Sequence, residues 1–206
     1  MRAMSTTLIL IAITCGVSFT AFNNPKMINA LILWPPAVRR DNDYYRLMSY
    51  GLVHADFTHL LFNMLTLYFF GMQMEKFYNA HLGDFGFAFF YVLGLVVSIL
   101  PTYLRHQDDP NYRSLGASGA VSAVLFAFIL LDPWSSIYLY FAIKVPAIIF
   151  AVLYIGYSIY MDKRGGDNVN HSAHLWGAAY GVLFTVVMEP GVLNWFLAAL
   201  ANPSWG

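Results

Sequence analysis

The stretch that decides the fold is Leu115-Gly116-Ala117-Ser118-Gly119-Ala120-Val121-Ser122-Ala123-Val124-Leu125-Phe126-Ala127-Phe128-Ile129-Leu130-Leu131. It is free of charge and close to the roughly 20 residues that cross a bilayer as a helix, yet it opens on a serine set between small residues. Polar groups at membrane depth are costly and are functional candidates by default. A counterpart lies downstream, where Ala173-His174-Leu175-Trp176-Gly177-Ala178-Ala179-Tyr180-Gly181 puts a histidine near the start of another apolar run. A hydroxyl and an imidazole, each near one end of such a run, suggest a nucleophile and its base.

Composition widens the same reading. The chain has 206 residues, 59% hydrophobic and 11% charged, with mean hydropathy +0.57. Soluble domains carry about a quarter charged residues, so this composition is that of an integral membrane protein. Lysine plus arginine equals aspartate plus glutamate at 11 each, and without a basic cluster no nucleic-acid partner is expected. Cys15 is the only cysteine, which excludes a disulfide framework and a thiolate metal cluster.

Working outward, six apolar segments emerge at about 6–22, 57–74, 85–104, 115–131, 144–161 and 171–188. Breaks rich in proline, asparagine and charge fall between them at 23–46, 105–114, 132–136 and 162–170. The run from Thr6 lacks a small-x-small cleavage site and is read as a retained first helix. Leu193 to Leu200 is too short to span and reads as an interfacial tail. Lipid leaves helices and closed barrels as the only spanning options, so residues 1–206 are expected to form one all-α polytopic domain with six transmembrane helices. The break at 23–46, with Trp34, Arg39, Arg40, Tyr44, Tyr45 and Arg46, has the aromatic and arginine content of the headgroup region.

His59 and Asn63 lie four apart near the start of the second segment and so share a helical face. Two donors stacked at depth are what a developing oxyanion needs; bonding to nearby carbonyls would equally glue helices together. The fourth segment carries the small-residue pairs Gly116/Ala120 and Gly119/Ala123 and the sixth a stripe of Ala173, Gly177 and Gly181, and such stripes let two helices approach closely. Close approach is what a direct Ser118–His174 hydrogen bond requires. With no carboxylate within either segment, a dyad is expected rather than a triad. His171 could ligate, orient or cap, with capping or a loop contact favoured. Glu75 and Lys76 are read as a pair at the headgroups.

With those residues assembled, the chain resembles the rhomboid intramembrane serine proteases. Four features carry the resemblance in order: Tyr45-Arg46 in the first loop, His54-x4-His59-x2-Phe62-Asn63, Gly116-Ala117-Ser118-Gly119, and Ala173-His174-x2-Gly177-x3-Gly181. The resemblance implies a six-helix bundle whose active site lies below the membrane surface. It implies Ser118 as nucleophile and His174 as general base and acid, with His59, Asn63 and the Ser118 N–H holding the oxyanion. Arg46, His54 and Glu75 would be structural. Substrates would be transmembrane proteins, cleaved in or near their spans, with lipid as surroundings and no cofactor or metal. The expected location is a multi-pass position in a prokaryotic inner membrane, the active site opening on the extracytoplasmic side.

Three features run against the family pattern, the first being Tyr45 where relatives commonly carry tryptophan before the arginine. Relatives often carry an aromatic four residues after the nucleophile, stacked on the catalytic histidine; here that position is Ser122, so either the histidine is held less firmly or Tyr180 or Trp176 substitutes. The implied orientation puts Lys26, Arg39, Arg40, Arg46, Arg105, Arg113, Lys163 and Arg164 outside and leaves Arg2, Lys76 and Lys144 inside, contrary to the positive-inside rule. Two other classes compete. One is a catalytically weak rhomboid-like protein that binds membrane clients, for which Ser122 speaks. The other is a haem or metal protein using His54, His59, His171 and His174, whose spacing is poor for facing helices.

Overall fold

The structure is a computed structural model that describes residues 5–139 and 142–203; Arg2 lies outside the described residues. Helix α1 (Thr6–Ala21) leads into the first loop, which holds two short helices, α2 (Pro25–Leu31) and α3 (Pro35–Arg40). Both begin on proline, whose fixed φ suits a first helical turn and whose missing N–H costs nothing there. A turn, α4 (Arg46–Ser49), leads to α5 (Phe57–Thr66), which continues through a wider π turn at Leu67–Gly71 into α6 (Met72–Leu82). Then come α7 (Gly86–His106), α8 (Ser118–Leu131), an antiparallel hairpin of β1 (Ser136–Leu139) and β2 (Ile143–Pro146), α9 (Ala147–Arg164), α10 (His171–Met188) and α11 (Val192–Ala201).

Helix stands at every one of the six expected segments, with bounds that differ. The second runs past residue 74 to Leu82, because Glu75 and Lys76 do not end it; they ride on a rod that stops at Gly83, whose φ of 81° breaks it. The fifth starts at Ala147, the preceding Ile143–Pro146 being strand. The expected tail is helical, folded back 113° from α10. Among the described residues, taken one helix at a time, only Gly86–His106 is both long and apolar enough to cross a bilayer, while Thr6–Ala21 and Ser118–Leu131 are apolar but shorter, at 16 and 14 residues.

Helix α8 is the axis of the bundle. From Gly119 to Leu130 every residue is buried, as expected of a helix that is apolar all round. It lies against α10 with backbones in contact: a Cβ on Gly177 would strike the carbonyl of Gly119, and one on Gly181 that of Ala123. The stripe expected from the sequence therefore forms the closest seam of the molecule. Tyr78, Phe87 and Phe90 from α6 and α7 complete the core, Tyr78 and Phe90 packing on Tyr180 and Phe184 of α10. The outer faces are apolar too, Val187 being 76% and Leu183 64% exposed. A surface of this kind suits lipid rather than water.

Candidate active site

Ser118 is the first residue of α8, and the residues before it explain why it sits there. Gly116 adopts φ of 104°, a left-handed conformation that glycine takes without steric cost. A Cβ at this position would also lie 2.8 Å from Nε2 of His59. The chain thus turns beneath the His59 ring and enters the helix at Ser118. Among the described residues no side chain caps α8, so the N–H groups of its first turn are free to meet an incoming carbonyl.

His174 reaches the serine from the first turn of α10. Asn170 caps that helix, its Oδ1 accepting the Ala173 N–H at 3.0 Å. The same amide accepts from Thr102 Oγ1 at 3.1 Å and donates to Ser114 Oγ at 3.3 Å, which ties α10 to α7 and to the loop before the serine. His174 Nε2 and Ser118 Oγ stand 2.8 Å apart. Among the described residues no carboxylate bonds the His174 ring; Asp167 instead meets His171, Oδ2 to Nε2 at 3.1 Å. His171 follows the Asn170 cap rather than serving as it, and its ring lies 5.7 Å edge-on from that of His174. The hydrogen bond from His171 holds the exposed Asp167 carboxyl below its ordinary pKa.

A cavity of about 980 Å³ opens over the dyad, with His59 and Asn63 in its wall beside Ser118 and His174. Asp56 caps α5 by accepting the His59 N–H at 2.8 Å, which sets the register of both. One amide N–H of Asn63 is spent on the His59 carbonyl at 2.9 Å, and its other N–H remains for a ligand. Among the described residues no three His, Cys, Asp or Glu side chains converge as a metal site requires.

The supporting residues have defined tasks. His54 is fully buried, with Nε2 3.4 Å from the Ala117 N–H and Nδ1 2.9 Å from Ser18 Oγ. A backbone N–H can only donate, so Nε2 accepts and the proton sits on Nδ1. Ser18 in turn donates to the Leu52 carbonyl at 2.8 Å. Arg46, 8% exposed, bonds Asp43 at 2.9 Å and the carbonyls of Asn29 and Ile32 at 2.8 and 3.0 Å, clamping the first loop. Glu75 does not pair with Lys76. Its carboxylate accepts the N–H groups of Thr6 and Thr7 at 2.7 and 2.8 Å and the hydroxyls of Ser5 and Thr7 at 2.6 Å each. It caps α1, whose own first turn carries no acid.

Neither expected substitute for the missing aromatic reaches the dyad. Tyr180 donates to the Phe90 carbonyl at 3.0 Å and stacks on Phe90, while Trp176 is half exposed. The ring against His174 belongs to Tyr154 of α9, 5.9 Å away and inclined by 25°, and its hydroxyl lies 2.6 Å from Ser122 Oγ. Nothing in the reading of the sequence singled out Tyr154. The signal was Ser122 itself: a small polar residue where a ring is usual leaves room for a phenol from a neighbouring helix.

Comparison with known proteins places the chain in a family. Residues 41–190 match the model of the rhomboid domain. The chain is 29% identical over 180 residues to the mitochondrial RHOMBOID-like protein 12 of Arabidopsis thaliana, covering 81% of this chain and 53% of that protein. It is 26% identical over 156 residues to the rhomboid protease GlpG of Haemophilus influenzae, covering 75% and 74%, and 26% identical over 169 residues to the putative rhomboid protease YdcA of Bacillus subtilis, covering 76% of each. The chain thus spans about half the length of the plant relative. With a family model matched from the first loop to the end of α10, and with the polar residues of α5, α8 and α10 gathered around one cavity, the chain belongs to the rhomboid family of integral membrane proteins.

Proposed function

We propose that the protein is an intramembrane serine endopeptidase that cleaves other membrane proteins in or near their transmembrane helices, using Ser118 and His174 as a dyad. The observation that carries this reading is the 2.8 Å contact between His174 Nε2 and Ser118 Oγ inside a cavity walled by His59 and Asn63. Ser118 Oγ attacks the scissile carbonyl and its proton passes to His174 Nε2. The negative charge that develops on the carbonyl oxygen is met by the Ser118 N–H at the start of α8, by His59 and by the spare N–H of Asn63. His174 then gives its proton to the leaving amine and takes one from the water that hydrolyses the ester.

A helical substrate hides its carbonyls in its own hydrogen bonds, so substrates that unwind easily near the membrane edge are favoured. The six helical segments are read as six crossings, and the cavity as opening on the extracytoplasmic side of the membrane. A client-binding protein without catalysis would have no use for a formed Ser–His hydrogen bond.

The test is cleavage of a model single-span substrate by the purified protein beside Ser118→Ala and His174→Ala. Each variant should lose at least about 10⁴-fold in kcat. A Ser118→Ala protein that retains full cleavage would sink the reading.

A further inference from the structure

Helix α9 is held to the bundle differently from its neighbours. Its fully buried residues, Ala147, Ala151 and Ser158, are all small, and its larger side chains, Ile148, Phe150, Tyr154 and Ile155, pack against the core only partly buried. Two of its rings nonetheless reach the histidines of α10. Tyr157 lies edge-on to His171 at 5.6 Å, and Tyr154 lies nearly parallel to His174. The hydroxyl of Tyr154 meets Ser122, which is 4% exposed and sits one turn beyond Ser118. Among the described residues this is the side-chain hydrogen bond that joins α9 to α8. Removing the phenol would leave the Ser122 hydroxyl buried away from water.

The His174 imidazole needs such support. Its one side-chain hydrogen bond among the described residues is to Ser118, and a ring held at a single nitrogen can still swing about that contact. Two rings pack on it: the edge of His171 at 5.7 Å and the face of Tyr154 at 5.9 Å, the latter itself flanked by Phe126 and Phe150 at 5.5 and 5.7 Å. We propose that Tyr154 is the positioning residue of the dyad, anchored by Ser122, so that the catalytic geometry exists only while α9 is seated on α8. The kinetic half of this proposal rests on the protease reading above; the structural half does not.

Two readouts on the purified, full-length protein test it. The first is kcat on the model substrate. Tyr154→Leu should lower kcat by about 10- to 100-fold with KM nearly unchanged, the scale expected when a reacting group is slightly misplaced. Tyr154→Phe and Ser122→Ala remove the same hydrogen bond, so each should cost about threefold and the double variant little more. Adding Ser122→Phe to Tyr154→Leu supplies a ring from α8 and should restore most of the loss. The second readout is the carbon–proton NMR signal of the His174 imidazole, which the Tyr154 ring current displaces; it should move in Tyr154→Leu and stay in Tyr154→Phe. An unchanged kcat, or a fall in kcat with an unmoved imidazole signal, overturns the proposal. Should the wild type cleave nothing, the protease reading fails separately, and the imidazole signal still decides whether Tyr154 holds the ring.

Discussion

His54 shows how one buried side chain links the fold to pH. Burial, with His59 beside it, pushes its pKa down to about 3 from an ordinary 6.5. The folded chain therefore keeps this imidazole neutral, as its acceptor role toward Ala117 demands, whereas the unfolded chain protonates it near 6.5. The stabilisation is complete above that value and is lost as pH falls through the window from 6.5 to about 3. By pH 4.5 the loss should amount to about 3 kcal/mol. His54→Asn should be less stable than wild type at pH 7.5, and the gap should narrow by that amount at pH 4.5. Thermal unfolding in detergent at the two pH values reads it; a gap that stays constant would mean that His54 is not held neutral.

At the scale of elements, the question is what fastens each helix. α1 lacks an acid in its own first turn and borrows Glu75 from α6, about 70 residues away, for four hydrogen bonds. Glu75→Gln halves the acceptors and turns an NH₂ toward N–H donors. It should cost about 2 kcal/mol and speed hydrogen exchange in the first turns of α1 while leaving α8 and α10 protected. Unchanged exchange in α1 would refute the cap. This contact also marks where the sequence stops being legible. Apolar runs and the small stripes on α8 and α10 reveal helices and their closest seam, because length and residue size are local properties. The partner of Glu75 is not local, and a carboxylate beside Lys76 reads equally well as a surface pair. Ser118 and His174 stand out as polar groups in apolar surroundings, whereas Tyr154 is one of 14 tyrosines and gains its meaning only from the helix it faces.

At the scale of the whole molecule, two forces compete over which end of the bundle faces out. The dyad lies near the end formed by the first loop, the turn before α8 and the turn before α10. That end carries eight lysines and arginines, against Lys76 and Lys144 at the other among the described residues. Folding occupies some of these cations: Arg46 is buried against Asp43, Arg39 pairs with Asp108, and Arg113 lies over the Trp34 ring. The positive-inside rule, however, acts on the chain as it inserts, before those pairs exist, and so favours the cavity facing the cytoplasm. The family layout favours the opposite, and we expect it to hold, with the exposed pair Arg39–Asp108 and the half-buried pair His106–Asp109 at the outer surface. The chain allows a direct test, since Cys15 is its only cysteine. In a Cys15→Ala background, an impermeant maleimide applied to intact cells should label Asn111→Cys, beside the cavity, and leave Lys76→Cys unlabelled until the cells are opened. The reverse pattern would mean that the lysine and arginine bias set the topology, and substrates would then be engaged at the cytoplasmic ends of their spans.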